Sequence, residues 1–396
     1  VQPSSLRRAL SACAVGAVIG GCGSGASAPP LAPAPFTAVK SIAFQAKHSI
    51  GLGKVLSTRN GGQIFGFDID RDGTDGVLAT ATDVETFDQG SAKITKSFPN
   101  KLPPGTSYKV DGIFTGDVAL VTRYVVPKGK LYAKRFYEVM NPVTVRKFTG
   151  SWAPPIRDID VLQAGVNQTT SDAALFAIEL KKQDRPDIVV SDIAKNTVGK
   201  VIHLDPNLFG GGNGPQFAQD TTTNQGVIAL SPDGGRVGGE APINVLVDLK
   251  TGKESQFAGL NNGSFGSGYV NGLAVDSKTG IAATTTELNA QVEFYNLAAK
   301  TGVAAQLPCT GSTSQLNSGA GIANDPVNGL FLVTDPFYCS GSQGSALVVY
   351  DESGNNVETI TGFKFAIGEP PPAINPGTRT GWAFGPGFNQ LQEFSY

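Results

Sequence analysis

The sequence predicts an all-β protein, a β-propeller of seven four-stranded blades in which an N-terminal strand completes the C-terminal blade. Three observations carry this. First, a hairpin-like phrase recurs: Asn271-Gly-Leu-Ala-Val-Asp276, a turn at Gly280, then Val292-Glu-Phe-Tyr-Asn-Leu297 and a Lys-Thr-Gly turn. Gly321-Ile-Ala-Asn-Asp325, Asn328-Gly329, Leu330–Thr334 and Ala346–Asp351 repeat it, and Gly226–Asp233 with Ile243–Leu249 reads as a third copy. Second, the turn glycines Gly234, Gly280 and Gly329 stand 46 and 49 residues apart. A period of roughly 40–50 residues with four short strands per unit marks a propeller blade. Third, 50 glycines, 25 prolines and only 16% charged residues suit short strands joined by tight turns. No part of the region after the N-terminal segment sustains the i, i+3, i+4, i+7 apolar spacing of an amphipathic helix.

Residues 1–22 read as a secretory signal. Arg7-Arg8 precede an apolar stretch from Ala9 to Gly21, too short to span a bilayer. It ends Val18-Ile19-Gly20-Gly21-Cys22, which resembles the bacterial lipobox, with Ile19 for the usual Leu and Gly20 for Ala or Ser. That resemblance implies lipidation of Cys22 and a place in the bacterial cell envelope, periplasmic or surface-exposed. Residues 23–37, rich in Ala, Ser and Pro, read as a tether, and 38–396 as one propeller domain.

The blades follow in order. The first spans about 50–98, with strands at Gln63–Phe67 and Lys93–Phe98. The second spans 108–149, with Val118–Thr122, Leu131–Phe136 and Val143–Phe148. The third spans 158–204, with Ala174–Ile178, Ile188–Ser191 and Val198–Leu204. The fourth to sixth are 222–258, 270–307 and 320–361. The seventh has Gly381–Phe384 and Gln390–Tyr396 but runs out of chain before an outermost strand, which Val39–Gln45 is expected to supply. Such closure leaves no long open sheet edge.

The Gly-Leu-Ala-Val-Asp phrase, its Val-Glu-Phe-Tyr-Asn-Leu strand and the Thr-Gly turn resemble the YVTN and NHL propeller repeats. The resemblance covers three units and implies an exported scaffold. Those families include binders and enzymes alike, so the fold does not choose a function.

Cys309 enters the sixth blade and Cys339 lies in that blade's b–c loop, on one face, so a disulfide between them is expected in an exported protein. The net charge of −2 and the lack of a basic cluster exclude a nucleic-acid partner. Two histidines, His48 and His203, exclude a His-rich metal site.

Two sets of side chains are candidates for chemistry. Glu179, Glu240, Glu287 and Asp335 close strand b in consecutive blades, with Arg123 at a similar place in blade two. Carboxylates around a channel mouth suit a divalent cation or a polar ligand; the alternative is a solvated rim. Asp68-Ile-Asp70-Arg-Asp72-Gly73-Thr74 has calcium-loop spacing and resembles the calcium loops of FG-GAP propellers. The ninth and twelfth positions are Gly76 and Ala79, leaving Asp75 as substitute; the alternative is an Asp-Gly turn. Calcium is the one cofactor suggested. No Gly-x-Ser-x-Gly elbow or Cys-x-x-Cys-His motif is present. The expected function is a binding or interaction scaffold for a small molecule, glycan or protein at the channel face, attached to the membrane only through its lipid. The alternative is a calcium-dependent lactonase-like hydrolase.

Overall fold

The computed structural model describes residues 50–396 apart from 72, 100–105, 115–117, 126–133, 141–149, 153–158, 168–171, 180–184, 193–196, 206–215, 231–242, 261–269, 287–290, 309–320, 337, 339–343, 366–370 and 386. Among the described residues, twenty-eight strands form seven four-stranded sheets. After β1 (Gly51–Ser57), blade 1 is β2 (Ile64–Ile69), β3 (Asp75–Thr80), β4 (Asp83–Asp88) and β5 (Lys93–Pro99). Blade 2 is β6 (Thr106–Phe114), β7 (Val118–Val125), β8 (Lys134–Met140) and β9 (Gly150–Trp152). Blade 3 is β10 (Ile159–Asn167), β11 (Asp172–Glu179), β12 (Arg185–Asp192) and β13 (Thr197–His203). Blade 4 is β14 (Gln216–Asp220), β15 (Gln225–Leu230), β16 (Ile243–Asp248) and β17 (Glu254–Ala258). Blade 5 is β18 (Val270–Asp276), β19 (Ile281–Thr286), β20 (Gln291–Asn296) and β21 (Thr301–Gln306). Blade 6 is β22 (Ile322–Asp325), β23 (Leu330–Asp335), β24 (Ser345–Asp351) and β25 (Asn356–Phe363). Blade 7 is β26 (Ala373–Asn375), β27 (Thr380–Phe384) and β28 (Gln390–Ser395), with β1 as its outer strand.

Two sequence expectations change here. The strand closing blade 7 is Gly51–Ser57, so residues 50–57 belong to the last blade and not the first; residues 39–45 lie outside the described residues. The local pattern of β1 is poor, and its partners explain why it nevertheless pairs. A side chain at Gly53 would place Cβ 2.5 Å from Glu393 Oε2, so the glycine leaves room for that carboxylate. The Lys54 amide donates to the same oxygen at 3.0 Å, and Gln392 Nε2 donates to the Gly53 and Lys54 carbonyls at 3.1 Å each. These bonds fill the β-bulge between Leu52 and Val55. The second change is in blade 4. Residues 225–230 are strand b and not strand a, and Gly234 lies in the following connection. The a–b turn there is Thr221–Asn224.

All strand neighbours pair antiparallel, so the a–b and c–d turns share one face of a blade, the turn face, and the b–c and d–a connections share the other, the loop face. The turn face is built by one device. Asp220, Asp325 and Asn375 end strand a, and each Oδ1 accepts the backbone N–H groups two and three residues on, at 2.9–3.3 Å. Asp276 accepts from Lys278 N in the same way, at 2.8 Å. Four residues after each, Asn224, Gly280, Gly329 and Arg379 take positive φ of 53–71°. The recurring Asp of the sequence phrase is therefore a turn cap.

The core is a ring of layers between blades. Across the closure, Trp382 packs edge-on against Phe87 at 5.5 Å, and Phe384 against Phe67 at 5.4 Å. Between blades 5 and 6, Phe294 meets Phe331 and Tyr350. Each such buried aromatic contributes on the order of 2–3 kcal/mol. Alternation along strand c divides its side chains between neighbours: Val292 and Phe294 face blade 6, while Tyr295 packs with Leu246 and Val227 of blade 4.

Candidate functional site

The loop face differs from the turn face in the length of its connections and in the bulges near it. The stretches of sequence joining its strand ends include residues 204–215, 231–242, 259–269 and 307–321, whereas the a–b turns of blades 4 to 7 and the c–d turns of blades 4 to 6 take four or five residues. Long connections carried on a rigid scaffold are where binding groups gather. The inner strands also bulge close to this face. Register shifts make Phe65 in β2, Leu162 in β10 and Asn271 in β18 the extra residue of a bulge. All three stand five residues before the end of the strand-a region, at Asp70, Asn167 and Asp276. A bulge re-aims the extra side chain.

The consequence is plainest where the ring closes. Phe65 is 42% exposed while its neighbours Ile64 and Phe67 are buried. Phe388, in the b–c connection of blade 7, is 62% exposed, and its carbonyl accepts from the Ile64 amide at 2.8 Å. Two exposed phenylalanines thus stand on adjacent backbone at the loop face. The backbone beneath them is tied down. Thr58 N donates to the Asn389 carbonyl at 3.0 Å, Arg59 N donates to both oxygens of Glu85 at 3.2 Å, and Asn60 Nδ2 donates to Asp83 Oδ2 at 3.0 Å. Glu85 is buried, which pushes its carboxyl above the usual range despite the Arg59 amide.

A second polar group lies between blades 4 and 5. Gln291, Glu293 and Tyr295 alternate on the face of β20 turned toward blade 4 and are all buried. The Tyr295 hydroxyl donates to Glu293 Oε2 and accepts from the Leu260 amide at 3.1 Å. Burial, only partly offset by that hydroxyl, pushes the Glu293 carboxyl up to about 7. Leu260 opens the connection from blade 4 to blade 5, so this acid supports the loop face from below.

Three members of the predicted ligand set, Glu179, Arg123 and Asp335, lie at or near the ends of b strands among the described residues. Glu179 ends β11 opposite Ile159 and Arg185. Arg123 lies within β7 opposite Tyr108 and Phe136, two residues short of the strand end. Asp335 ends β23 opposite Ala346 and is fully buried; burial of the Tyr350 hydroxyl, with the Asp335 charge adding to it, raises that hydroxyl's pKa. Glu240, Glu287, Cys309, Cys339 and Cys22 lie outside the described residues.

The calcium-loop motif falls on the a–b turn of blade 1. Asp68 sits in β2, Asp70 begins the turn, Thr74 is exposed, Asp75 opens β3, and Asp72 lies outside the described residues. Gln89 Nε2 donates to the Asp70 and Asp75 carbonyls at 3.1 and 2.9 Å, and to the Gly73 carbonyl at 3.4 Å. A side-chain amide therefore caps three backbone carbonyls of this turn. Burial, with the Asp88 and Asp70 charges, raises Asp75. Among the described residues, no three of His, Cys, Asp and Glu come together as a metal site. His203 Nδ1 pairs with buried Asp187 at 2.6 Å, on the outermost strand pair of blade 3 and away from the channel.

Sequence reasoning missed Phe65, Phe388 and Glu293. Phe65 reads as an ordinary strand residue because a bulge has no local signature. Glu293 sits inside the recurring phrase, where Val245 and Val348 occupy the matching places, and that departure is the one signal available.

No protein-family model matches the sequence, and no curated protein matches it. Solved structures are similar in fold. The WD40 repeats of RRP9 align with a TM-score of 0.58 at 12% identity, over 86% of this chain and 96% of that one. U3-55K aligns at 0.58 and 12%, over 87% and 98%. Raptor from Chaetomium thermophilum aligns at 0.59 and 11%, over 87% of this chain and 29% of its own length. At these identities the likeness is one of fold, a β-propeller.

Proposed function

We propose that the chain is a lipid-anchored extracytoplasmic propeller that works as an interaction scaffold, with a protein partner docking on its loop face. The observation that carries this reading is the pair of exposed phenylalanines, Phe65 and Phe388, on backbone braced by Asp83, Glu85 and Asn389. Exposed aromatics on a rigid support lose little entropy on binding and supply the anchoring contacts of protein interfaces. The RRP9 WD40 repeats and the other similar propellers support the scaffold reading through their fold.

The signal-like start supplies the location. Lipidation at Cys22 joins the membrane to a tether that enters blade 7 through β1. Because β1 runs antiparallel to β28, its first residue, Gly51, lies at the turn face.

Crosslinking in intact cells, followed by identification of captured partners, tests the docking face. Capture by wild type that is lost in Phe65→Ser/Phe388→Ser and retained in Val327→Ser supports it. Val327 is 57% exposed on the turn face and serves as the control. Equal capture by all three proteins overturns the reading. For the anchor, metabolic labelling with a fatty acid should mark wild type and miss Cys22→Ala.

A further inference from the structure

Four blades allow one structural position to be compared, the residue that follows strand c at the turn face: Leu249, Leu297, Glu352 and Tyr396. In blade 7 this residue reaches back to the preceding blade. The Tyr396 hydroxyl donates to Oδ2 of Asp325, the turn cap of blade 6, at 2.9 Å. Glu352 occupies the same place in blade 6 and reaches back to the turn of blade 5. There the Thr279 hydroxyl donates to its Oε1.

What Glu352 meets there sets blade 5 apart. The second oxygen of each turn-capping aspartate normally receives a donor. Asp220 Oδ2 accepts from the Thr223 hydroxyl at 2.7 Å, and Asp325 Oδ2 accepts from Asn328 Nδ2 at 2.6 Å as well as from Tyr396. Blade 7 avoids the need with a neutral Asn375. Asp276 is fully buried, its Oδ1 accepts from Lys278 N at 2.8 Å, and its Oδ2 meets no N–H or hydroxyl donor. The side chain in the donor's place is Glu352, itself nine-tenths buried. A carboxylate accepts only, so it can fill Tyr396's role only when it carries a proton.

We propose that Asp276 and Glu352 share one proton, forming a proton-dependent latch between blades 5 and 6. Burial raises both carboxyls and Asp276 raises Glu352 further, while Thr279 and Lys278 offset the rise at both and the hydrogen bond with Glu352 offsets it at Asp276. The charged groups acting on the pair are the two carboxyls themselves and Lys278. Facing them, turn 326–329 of blade 6 carries no ionisable side chain, Asp325 before it is engaged by Val327, Asn328 and Tyr396, and Lys300 and Asp351 stand in the flanking c–d turns. With both carboxyls raised, the fold binds more protons than the unfolded chain. The latch is therefore intact at low pH, and its stability is lost as pH rises above the ordinary carboxylate range.

Thermal melts of wild type, Glu352→Gln and Asp276→Asn from pH 5 to 8.5 test this. Each variant supplies a permanent amide donor, so each should gain on wild type as pH rises, by about 2 °C or more at the alkaline end. Other carboxyls raised by burial titrate in all three proteins and cancel in the difference. Two variants guard against one that packs badly, because the readout is the change of the gap with pH and not its size at any one pH. Curves that stay parallel to wild type for both variants overturn the shared proton.

Discussion

The two faces of this propeller use the same residue types to opposite ends. On the turn face, Asp220, Asp325 and their equivalents spend their carboxylate oxygens on backbone N–H groups two and three residues away. On the loop face, Asp83 and Glu85 accept from Asn60 and Arg59, residues that entered from the far end of the sheet ring. The first pattern repeats from blade to blade because it is local and serves the chain's own geometry. The second occurs at the closure and holds an exposed aromatic pair in place. An acidic residue in this fold is thus informative about function only where its partner is not its own turn.

Several substitutions sharpen or break that contrast. The scale is set by the closure beneath both faces, where Trp382→Ala should cost about 3–5 kcal/mol in denaturant unfolding. On the turn face, Asp325→Ala leaves the Val327 and Asn328 amides and the Tyr396 hydroxyl without their acceptor, and a loss of about 2–3 kcal/mol is expected by the same measurement.

The buried acid under the loop face is read by pH. The Glu293 carboxyl is raised, so the fold holds its proton more tightly than the unfolded chain does, and stability falls as pH rises from the ordinary carboxylate range through about 7. Glu293→Gln keeps an acceptor for Tyr295 and should remove that fall, gaining about 1–3 kcal/mol on wild type at pH 8.5 and little at pH 5. Unfolding curves with an unchanged pH slope would show that Glu293 does not titrate in this window.

The smallest expected effect is the most telling. Phe65→Ser and Phe388→Ser should each change stability by no more than about 0.5 kcal/mol, because both side chains are already largely in water. A loss as large as that of Asp325→Ala would make them structural and remove the contrast between the faces.

The blade repeat was legible because it is written in local signals. Asp276 and Gly280, or Asp325 and Gly329, form a turn whose chemistry is complete within five residues. The same signals misled where chemistry, not residue identity, decided the matter. Asn224 and Arg379 adopt the left-handed conformation that Gly280 and Gly329 advertise, and the Ser231-Pro-Asp-Gly234 stretch that looks like a turn of strand a follows strand b instead. Among the predicted site residues, Glu179 and Asp335 do end their b strands, but burial of Asp335 and the capping of the Asp70 turn by Gln89 depend on residues brought together from other strands.

By itself, then, the sequence determined an all-β chain of roughly 45-residue units that needs an N-terminal strand to complete its last blade, since periodicity and turn residues act over a few positions. Tertiary structure decided which strand closes the ring, which phenylalanine a bulge turns outward, and which carboxyl meets a donor and which meets another carboxyl. Gly51–Ser57 pairs with β28 because Gly53 leaves space for Glu393 and Gln392 satisfies the bulged carbonyls. Those groups stand more than 330 positions apart in the chain, and only the closing of the ring brings them within hydrogen-bonding distance.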